Sequence, residues 1–582
     1  MHEESTLTPA RATTVNSEAS EGRRRFAWVV AACVPFIVLA VTSLGFVRDD
    51  WEHYANMRAL WQSVPLWQAV TSIVDNSWFG AHEPRLFFLS FLVHFFIAPF
   101  GNAAPSIAYT YITLLHVGAC LLANRVVFYV TRQATLAAAI ALLLLLNPLA
   151  TQAVFFLNNL FFVQPWFFLT LTVFLLVRPT SVPTHRTTAL ICVAALACQF
   201  SGECTLFALY LVLVTFVLKG WFQWHRHGAP HAFTRAVLPS LVCAVSLFIY
   251  IGFVVKRPHN QPLTLNYQAL YQYLAQAYRV SIQFFTPFSE RYGHGGISAS
   301  VKTYAATLAS GLAAFFAVRP SNSTAEQPTK NVWGISAGAI LLGMAAVGVM
   351  FVGVITNVRP GVEPRYLYFP GQLAIIAAAS AAWLPLALFP FGPRRFHLVV
   401  CLVVLWFASL SFYSLNDIWA EQRRVDAALW TALDKFVGPH TRYIVTFNPN
   451  HSYLMAPYHS NAVSDFQADW GIGGRLWWRL NTAGPITVAR DARLNPDGLL
   501  DLYLYYGGAP MRIRQPVATP DTPLGGFDTV YVTYDYGPRF VDLKNSRLRI
   551  FTDFSAYDED VREILTRHPG VYRVMDQERT VP

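Results

Sequence analysis

Charge is what this chain has least of. Only 13% of its 582 residues are Asp, Glu, Lys or Arg, about half the share of an ordinary soluble domain. Acid is scarcest in the middle. Between Arg48 and Tyr413 there are nine acidic residues: Asp49, Asp50, Glu52, Asp75, Glu83, Glu203, Glu290, Glu326 and Glu363. That poverty excludes a water-soluble enzyme of this size. Cysteine is present without organisation. Cys33, Cys120, Cys192, Cys198, Cys204, Cys243 and Cys401 all lie in apolar stretches, with no CxxC and no Cys/His pairing at metal spacing. A disulfide framework and a zinc site are excluded, and the thiols read as small core hydrophobes. The net charge of +10 follows from Lys and Arg in loops between apolar runs, so nucleic acid is not an expected partner.

What fills the space is apolar: 54% of residues are hydrophobic and 15% aromatic. Apolar runs stand at 26–46, 86–100, 106–124, 135–147, 160–177, 187–202, 204–218, 236–255, 301–318, 332–356, 366–391 and 396–415. Runs of this kind predict a polytopic α-helical membrane protein. Residues 1–25 are polar and end in Gly22–Arg25, which reads as a cytoplasmic tail before a signal anchor. The run 86–100, "LFFLSFLVHFFIAPF", is short, carries a His and ends in Pro and Gly; it suits an interfacial or re-entrant helix.

If 86–100 does not cross, about eleven spans remain, with a first outer loop at about 48–105. The short loops holding Arg125, Arg132, Arg178, Arg186, Lys219, Arg226, Arg235, Arg319, Arg394 and Arg395 then all face the cytoplasm, as the positive-inside rule requires. Eight of the nine acids fall on or near the outer face, and only Glu326 falls inside. Acid is costly beside hydrocarbon, so its concentration on one face predicts a working surface there. After Ser414 the character changes. Residues 416–582 hold 20 of the 33 acidic residues, together with "DTVYVTYDY" (Asp528–Tyr536) and the turn signal "NPDG". These predict a separate soluble α/β domain, outside the cytoplasm in the eleven-span arrangement. The expected setting is a bacterial inner membrane.

The densest chemistry stands in "RDDWEHY" (Arg48–Tyr54). Adjacent Asp49 and Asp50 can deprotonate a hydroxyl, hold a divalent cation such as Mg²⁺ or Mn²⁺, or cap the following helix. His53 joins them as a candidate substrate contact. In "EPRYLYFP" (Glu363–Pro370), Arg365 can bind a lipid phosphate bidentately, with Tyr366 and Tyr368 on phosphate or sugar; the alternative is a snorkelling Arg in an aromatic belt. Lys256 and Arg257 are either further phosphate contacts or a plain membrane flank. "LNPLATQAVFFLNN" (Leu146–Asn159) and "QFSGECTLFALY" (Gln199–Tyr210) are polar breaks, in which Asn147 and Glu203 line a cavity or simply turn the chain. In the tail, Trp470, Trp477 and Trp478 either stack on a sugar or belong to a core.

An acidic pair outside the first span, an Arg in the first loop and "RYLY-P" before a late span together resemble the GT-C superfamily. These are integral-membrane glycosyltransferases that use polyprenyl-phosphate sugars. The likeness is to the protein O-mannosyltransferases and the transmembrane mannosyltransferases that carry tetratricopeptide repeats. It rests on "DDWEHY", "EPRLFFLSF" (Glu83–Phe91), "ITLLHVGACLLANR" (Ile112–Arg125), "LNPLATQAV", "SGECTLFALYL" (Ser201–Leu211) and "EPRYLYFPG", and it covers about residues 26–415. The chain departs from the pattern with Pro84-Arg85 for Arg-Pro, Asn147-Pro148 for His-Pro, Gln152 for Glu and Gly202-Glu203 for Lys-Glu. The tail shows no 34-residue helical repeat.

The resemblance implies transfer of a sugar from a polyprenyl-phosphate donor to a glycan, lipid or protein acceptor on the outer face, with inversion. Asp49 or Asp50 would act as base or metal ligand. Arg365, with Arg85 or Lys256 and Arg257, would receive the departing phosphate. The rival reading is a transporter or flippase of an amphipathic substrate. It predicts paired repeats and charges at the bilayer midplane.

Overall fold

The structure, a computed structural model, describes residues 9–46, 49–75, 86–155, 157, 160–178, 185–228, 230–254, 271, 275, 278–279, 281–282, 285–286, 299–319, 337–338, 367–388, 392–447, 469–480, 486–504, 509–514, 522, 525–535, 547–569 and 573. Its helices are α1 (Pro9–Ser43), α2 (Asp49–Ser63), α3 (Leu66–Val74), α4 (Phe88–Ile97), α5 (Ala104–Thr131), α6 (Ala134–Leu145), α7 (Pro148–Phe155), α8 (Leu160–Val177), α9 (His185–Gln199), α10 (Leu206–His227) and α11 (Pro230–Ile249). Then come α12 (Val301–Ala317), α13 (Tyr368–Leu388), α14 (Gly392–Phe412), α15 (Trp419–Leu433), α16 (Asp469–Leu480) and α17 (Phe554–Arg567).

Every apolar run of the sequence coincides with a helix except 332–356, of which only 337–338 are among the described residues. Among the described residues six stretches are long and apolar enough to cross a membrane: Ser20–Ser43, Phe88–Thr131, Leu160–Val177, Glu203–Arg226, Phe233–Gly252 and Arg394–Asp417. The architecture is that of a helical membrane protein.

The stretch Phe88–Thr131 is not one rod. α4 has ten residues, about 15 Å of helix. A 3₁₀ turn, Ala98–Ala103, follows it, with Gly101 at φ 57° and ψ −126°. Only glycine enters that region cheaply, so the chain breaks here and restarts as α5. α6 sits at the centre. It is built of Ala, Leu, Ile and Thr, and every residue from Thr135 to Leu145 is buried, as expected of a helix apolar all round. Arg25, expected in a solvated basic flank, is instead buried. It bonds Glu21 at 2.6 Å and Thr135, tying α1 to α6.

The C-terminal region carries the sheets. Strands β1 (Tyr443–Phe447), β2 (Thr487–Ala489), β6 (Thr529–Asp535) and β7 (Arg547–Phe551) form one sheet in the order β2-β1-β6-β7. β1 pairs parallel with β2 and β6, and β7 runs antiparallel to β6. β3 (Asp491–Leu494), β4 (Leu499–Tyr503) and β5 (Met511–Arg514) form an antiparallel meander. "NPDG" is the β3–β4 turn, with Gly498 at φ 78° and the Asn495 N–H donating to the Leu499 carbonyl at 2.8 Å. β6 lies within "DTVYVTYDY", whose strand-like alternation predicts one buried face, yet all seven of its residues are buried. It is covered on both faces, by α17 among others, as a central strand must be.

The largest hydrophobic core does not stop at the bundle. Trp477 and Trp478 of α16 belong to it, together with Phe46, Tyr54 and Met57.

Candidate functional site

α2 begins at Asp49 and presents Asp50, His53, Tyr54 and Met57 on one face, at the i, i+3, i+4, i+7 spacing of a buried stripe. All four are buried, Asp50, Tyr54 and Met57 fully. A carboxylate taken out of water must be hydrogen-bonded. The Tyr109 hydroxyl of α5 donates to Asp50 Oδ2 at 2.9 Å. One turn along α2, the Tyr54 hydroxyl and His94 Nδ1 of α4 lie 2.7 Å apart. The His53 and His94 rings meet edge to face with centroids 4.7 Å apart. Burial pushes the His53 imidazole down to about 3, so it is neutral at physiological pH. Burial, with the charge of Asp50 second, pushes the Tyr54 hydroxyl well above its ordinary value.

A second cluster stands two turns along α5. Tyr109 and His116 are seven residues apart on one face of that helix, about 10 Å. His116 Nδ1 and the Tyr368 hydroxyl are 2.9 Å apart, and His116 Nε2 lies 3.3 Å from the Leu145 carbonyl. Asn147 Oδ1 accepts from the Leu149 N–H at 3.1 Å, so Asn147 caps α7 with Pro148 at its first position. A Cβ on Gly371 would stand 3.1 Å from Leu149 and 3.6 Å from Asn147 Nδ2. The "LNPLAT" and "LYFPG" (Leu367–Gly371) stretches are therefore packed against each other.

Glu203 does a third piece of joining. Its Oε1 accepts from the Leu86 N–H at 3.1 Å, just ahead of α4. Next to it Gly202 has no room for a side chain, since a Cβ would sit 2.0 Å from the Phe161 carbonyl oxygen. Ser90 donates to the Ser201 carbonyl at 2.8 Å, and Gln164 to the Ser201 hydroxyl at 2.9 Å.

Of the sequence-predicted residues, Asp50, His53, Glu203 and Tyr368 are placed, Asp50 and His53 on one helix face. Asp49 opens α2, its side chain being outside the described set. Arg85, Lys256, Arg257, Arg365 and Tyr366 lie outside the described residues. Sequence reasoning missed Tyr109, His94 and His116. The one signal for them was polar spacing inside apolar runs: Tyr109 and His116 at i, i+7.

It also missed what covers α2. The tail helix α16 lies across it so closely that a Cβ on Gly474 would stand 2.3 Å from the Glu52 nitrogen. Arg58 donates to the carbonyls of Trp477, at 3.3 Å, and Trp478, and its guanidinium lies 4.0 Å over the Trp478 ring. Arg475 of α16 lies 5.3 Å over Trp51 of α2 and 4.4 Å over Trp430 of α15. Trp477 and Trp478 are thus core residues here. Arg423 of α15 donates to the Ser43 carbonyl at 2.7 Å, where α1 ends.

Among the described residues no three His, Cys, Asp or Glu side chains are grouped as a metal-ligand set. Comparison of the chain with protein-family models, with curated proteins and with solved structures finds no match.

Proposed function

We propose that this protein is a multi-pass membrane glycosyltransferase. It moves a sugar from a polyprenyl-phosphate donor to an acceptor hydroxyl on the outer face, with eleven spans and the tail on that face. The observation that carries the reading is the Asp50 carboxylate. It is fully buried at the head of α2, bonded by Tyr109, and two turns of α5 away from the His116–Tyr368 pair.

In this reading the acceptor oxygen attacks the anomeric carbon while the bond to the donor phosphate breaks, inverting the centre. The hydroxyl proton passes to Asp50, with Asp49 its neighbouring charge. The phosphate leaves with its negative charge, which Arg365, Arg85 and the Lys256–Arg257 pair receive. Tyr368, bonded to His116, anchors the segment that follows Arg365 and Tyr366. Glu203, bonded to the Leu86 N–H, anchors the segment that follows Arg85. His53 is a neutral wall of the site.

The test is transfer by membranes supplied with a polyprenyl-phosphate sugar, read by mass spectrometry of lipids and glycans. Asp49→Asn and Asp50→Asn should each assemble normally, and Asp50→Asn should lose about 10²–10⁴-fold in rate. Full transfer by the Asp50→Asn protein would remove the base assignment. Product profiles identical with and without the protein would sink the enzyme reading and leave a transporter of the same lipid.

A further inference from the structure

We propose that α16 is the positioning element of the α2 site, and that Arg58 and Arg475 are its positioning residues. The inference rests on the reading above for what Asp50 does, but not for where Asp50 is held. α2 is a helix of fifteen residues with charged and polar groups along it, too short and too polar to be stable alone. Its inward face, Asp50, His53, Tyr54 and Met57, meets α4 and α5. Outside that stripe stand Glu52, on the opposite side, and Arg58, at its edge, both half-buried, and the tail packs on both.

The two helices hold each other by a reciprocal device. An arginine of α2, Arg58, stacks on a tryptophan of α16, Trp478; an arginine of α16, Arg475, stacks on a tryptophan of α2, Trp51. Arg58 also donates to the carbonyls of Trp477 and Trp478, where the α16 dipole is negative and its last carbonyls lack helical partners. Gly474 lets the backbones meet at Glu52. Phe46 completes the wedge, with its ring centroid 4.3 Å from Tyr54 and 5.9 Å from Trp478. The clamp therefore presses α2 inward, and the Asp50–Tyr109 and Tyr54–His94 contacts are made on the pressed face.

The experiment uses the full chain in sealed membrane vesicles and a membrane-impermeant maleimide, with Asp50→Cys as the reporter. In the otherwise native protein Asp50→Cys should label slowly. Adding Arg58→Ala with Arg475→Ala should speed labelling about tenfold or more, as expected for two lost stacking and carbonyl contacts. Gly474→Ala should do the same, because its Cβ forces the backbones apart. Arg58→Lys keeps a donor for the carbonyls and loses the planar stack, so with Arg475 intact it should raise labelling by no more than about threefold. Unchanged labelling in the Arg58→Ala, Arg475→Ala protein would overturn the proposal. So would an equal rise at the native buried Cys33 and Cys120, which would make the contact a general stabiliser. Because labelling needs no substrate, failure of the transferase reading would show only in the transfer assay, and failure of the clamp only here.

Discussion

The imidazole of His53 sits between Tyr54, Phe91 and His94, and its displacement from 6.5 to about 3 has a direct consequence. An unfolded chain takes up a proton on this side chain below its ordinary value, whereas the folded chain does so only near 3. Between those values the unfolded state binds the extra proton, and stability falls as pH is lowered. His53→Gln should flatten that slope: the thermal midpoint in detergent should drop less between about pH 7 and pH 5 than it does in the native protein. A second residue-scale effect belongs to the tail. Arg573 is bidentate to the fully buried Asp491, with contacts of 2.7 and 3.1 Å, and also meets Asp558. Burial pulls its guanidinium down, but the bonds to Asp491 outweigh this and the net shift is upward. Arg573→Ala would strand a buried carboxylate at a cost of about 3–5 kcal/mol, read as faster proteolysis of residues 416–582 in the full chain. Asp50 and His53 stand out in the sequence by residue type alone, and the structure places them on one buried helix face. Tyr109 and His94 were not, because a tyrosine or histidine in an apolar run looks the same whether it meets lipid or a carboxylate.

At the scale of elements, the break between α4 and α5 is the clearest case of local sequence deciding local form. "IAPFGNAAP" places Pro99 and Gly101 where a continuous helix would need neither, and Gly101 takes a conformation at φ 57° that a side chain enters at a cost of about 1–3 kcal/mol. Gly101→Ala should lower the thermal midpoint of the detergent-solubilised protein without altering its helix content by circular dichroism. An unchanged midpoint would mean the break is held from elsewhere. The same stretch shows why helices were legible and their partners were not. Apolar runs fix where a helix stands, since a backbone in lipid has to bond within itself. Which faces meet is a matter of side-chain shape: Gly202 under the Phe161 carbonyl, and Gly474 on Glu52. The α16 segment "DWGIGGRLWWRL" read as a sugar platform or a core piece of its own domain. Its partner is α2, more than 400 residues earlier in the chain.

For the whole molecule, the division into an apolar portion and a sheet-bearing tail was legible from the distribution of acid, because burying carboxylates in lipid is costly while an α/β region tolerates them. The join was not legible. Charge and hydropathy mark what each part is dissolved in and carry no information on contacts between parts. The proposed sidedness makes a prediction of its own: a reporter fused after Ser414 should be active only if outside the cytoplasm. A cytoplasmic result would reverse the face on which Asp49, Asp50 and Glu52 stand.

The contact of Arg58 with Trp477 joins residues 419 apart in sequence. At ordinary rates of synthesis those residues emerge roughly 20–80 s apart. α2 is therefore made well before α16 exists, and it waits through that interval, while the later apolar helices emerge, with its α16 contacts unmade. A helix four-fifths of the way along the polypeptide finishes the packing begun near its start, so a ribosome that stops before residue 469 leaves an inserted bundle whose α2 has never been closed.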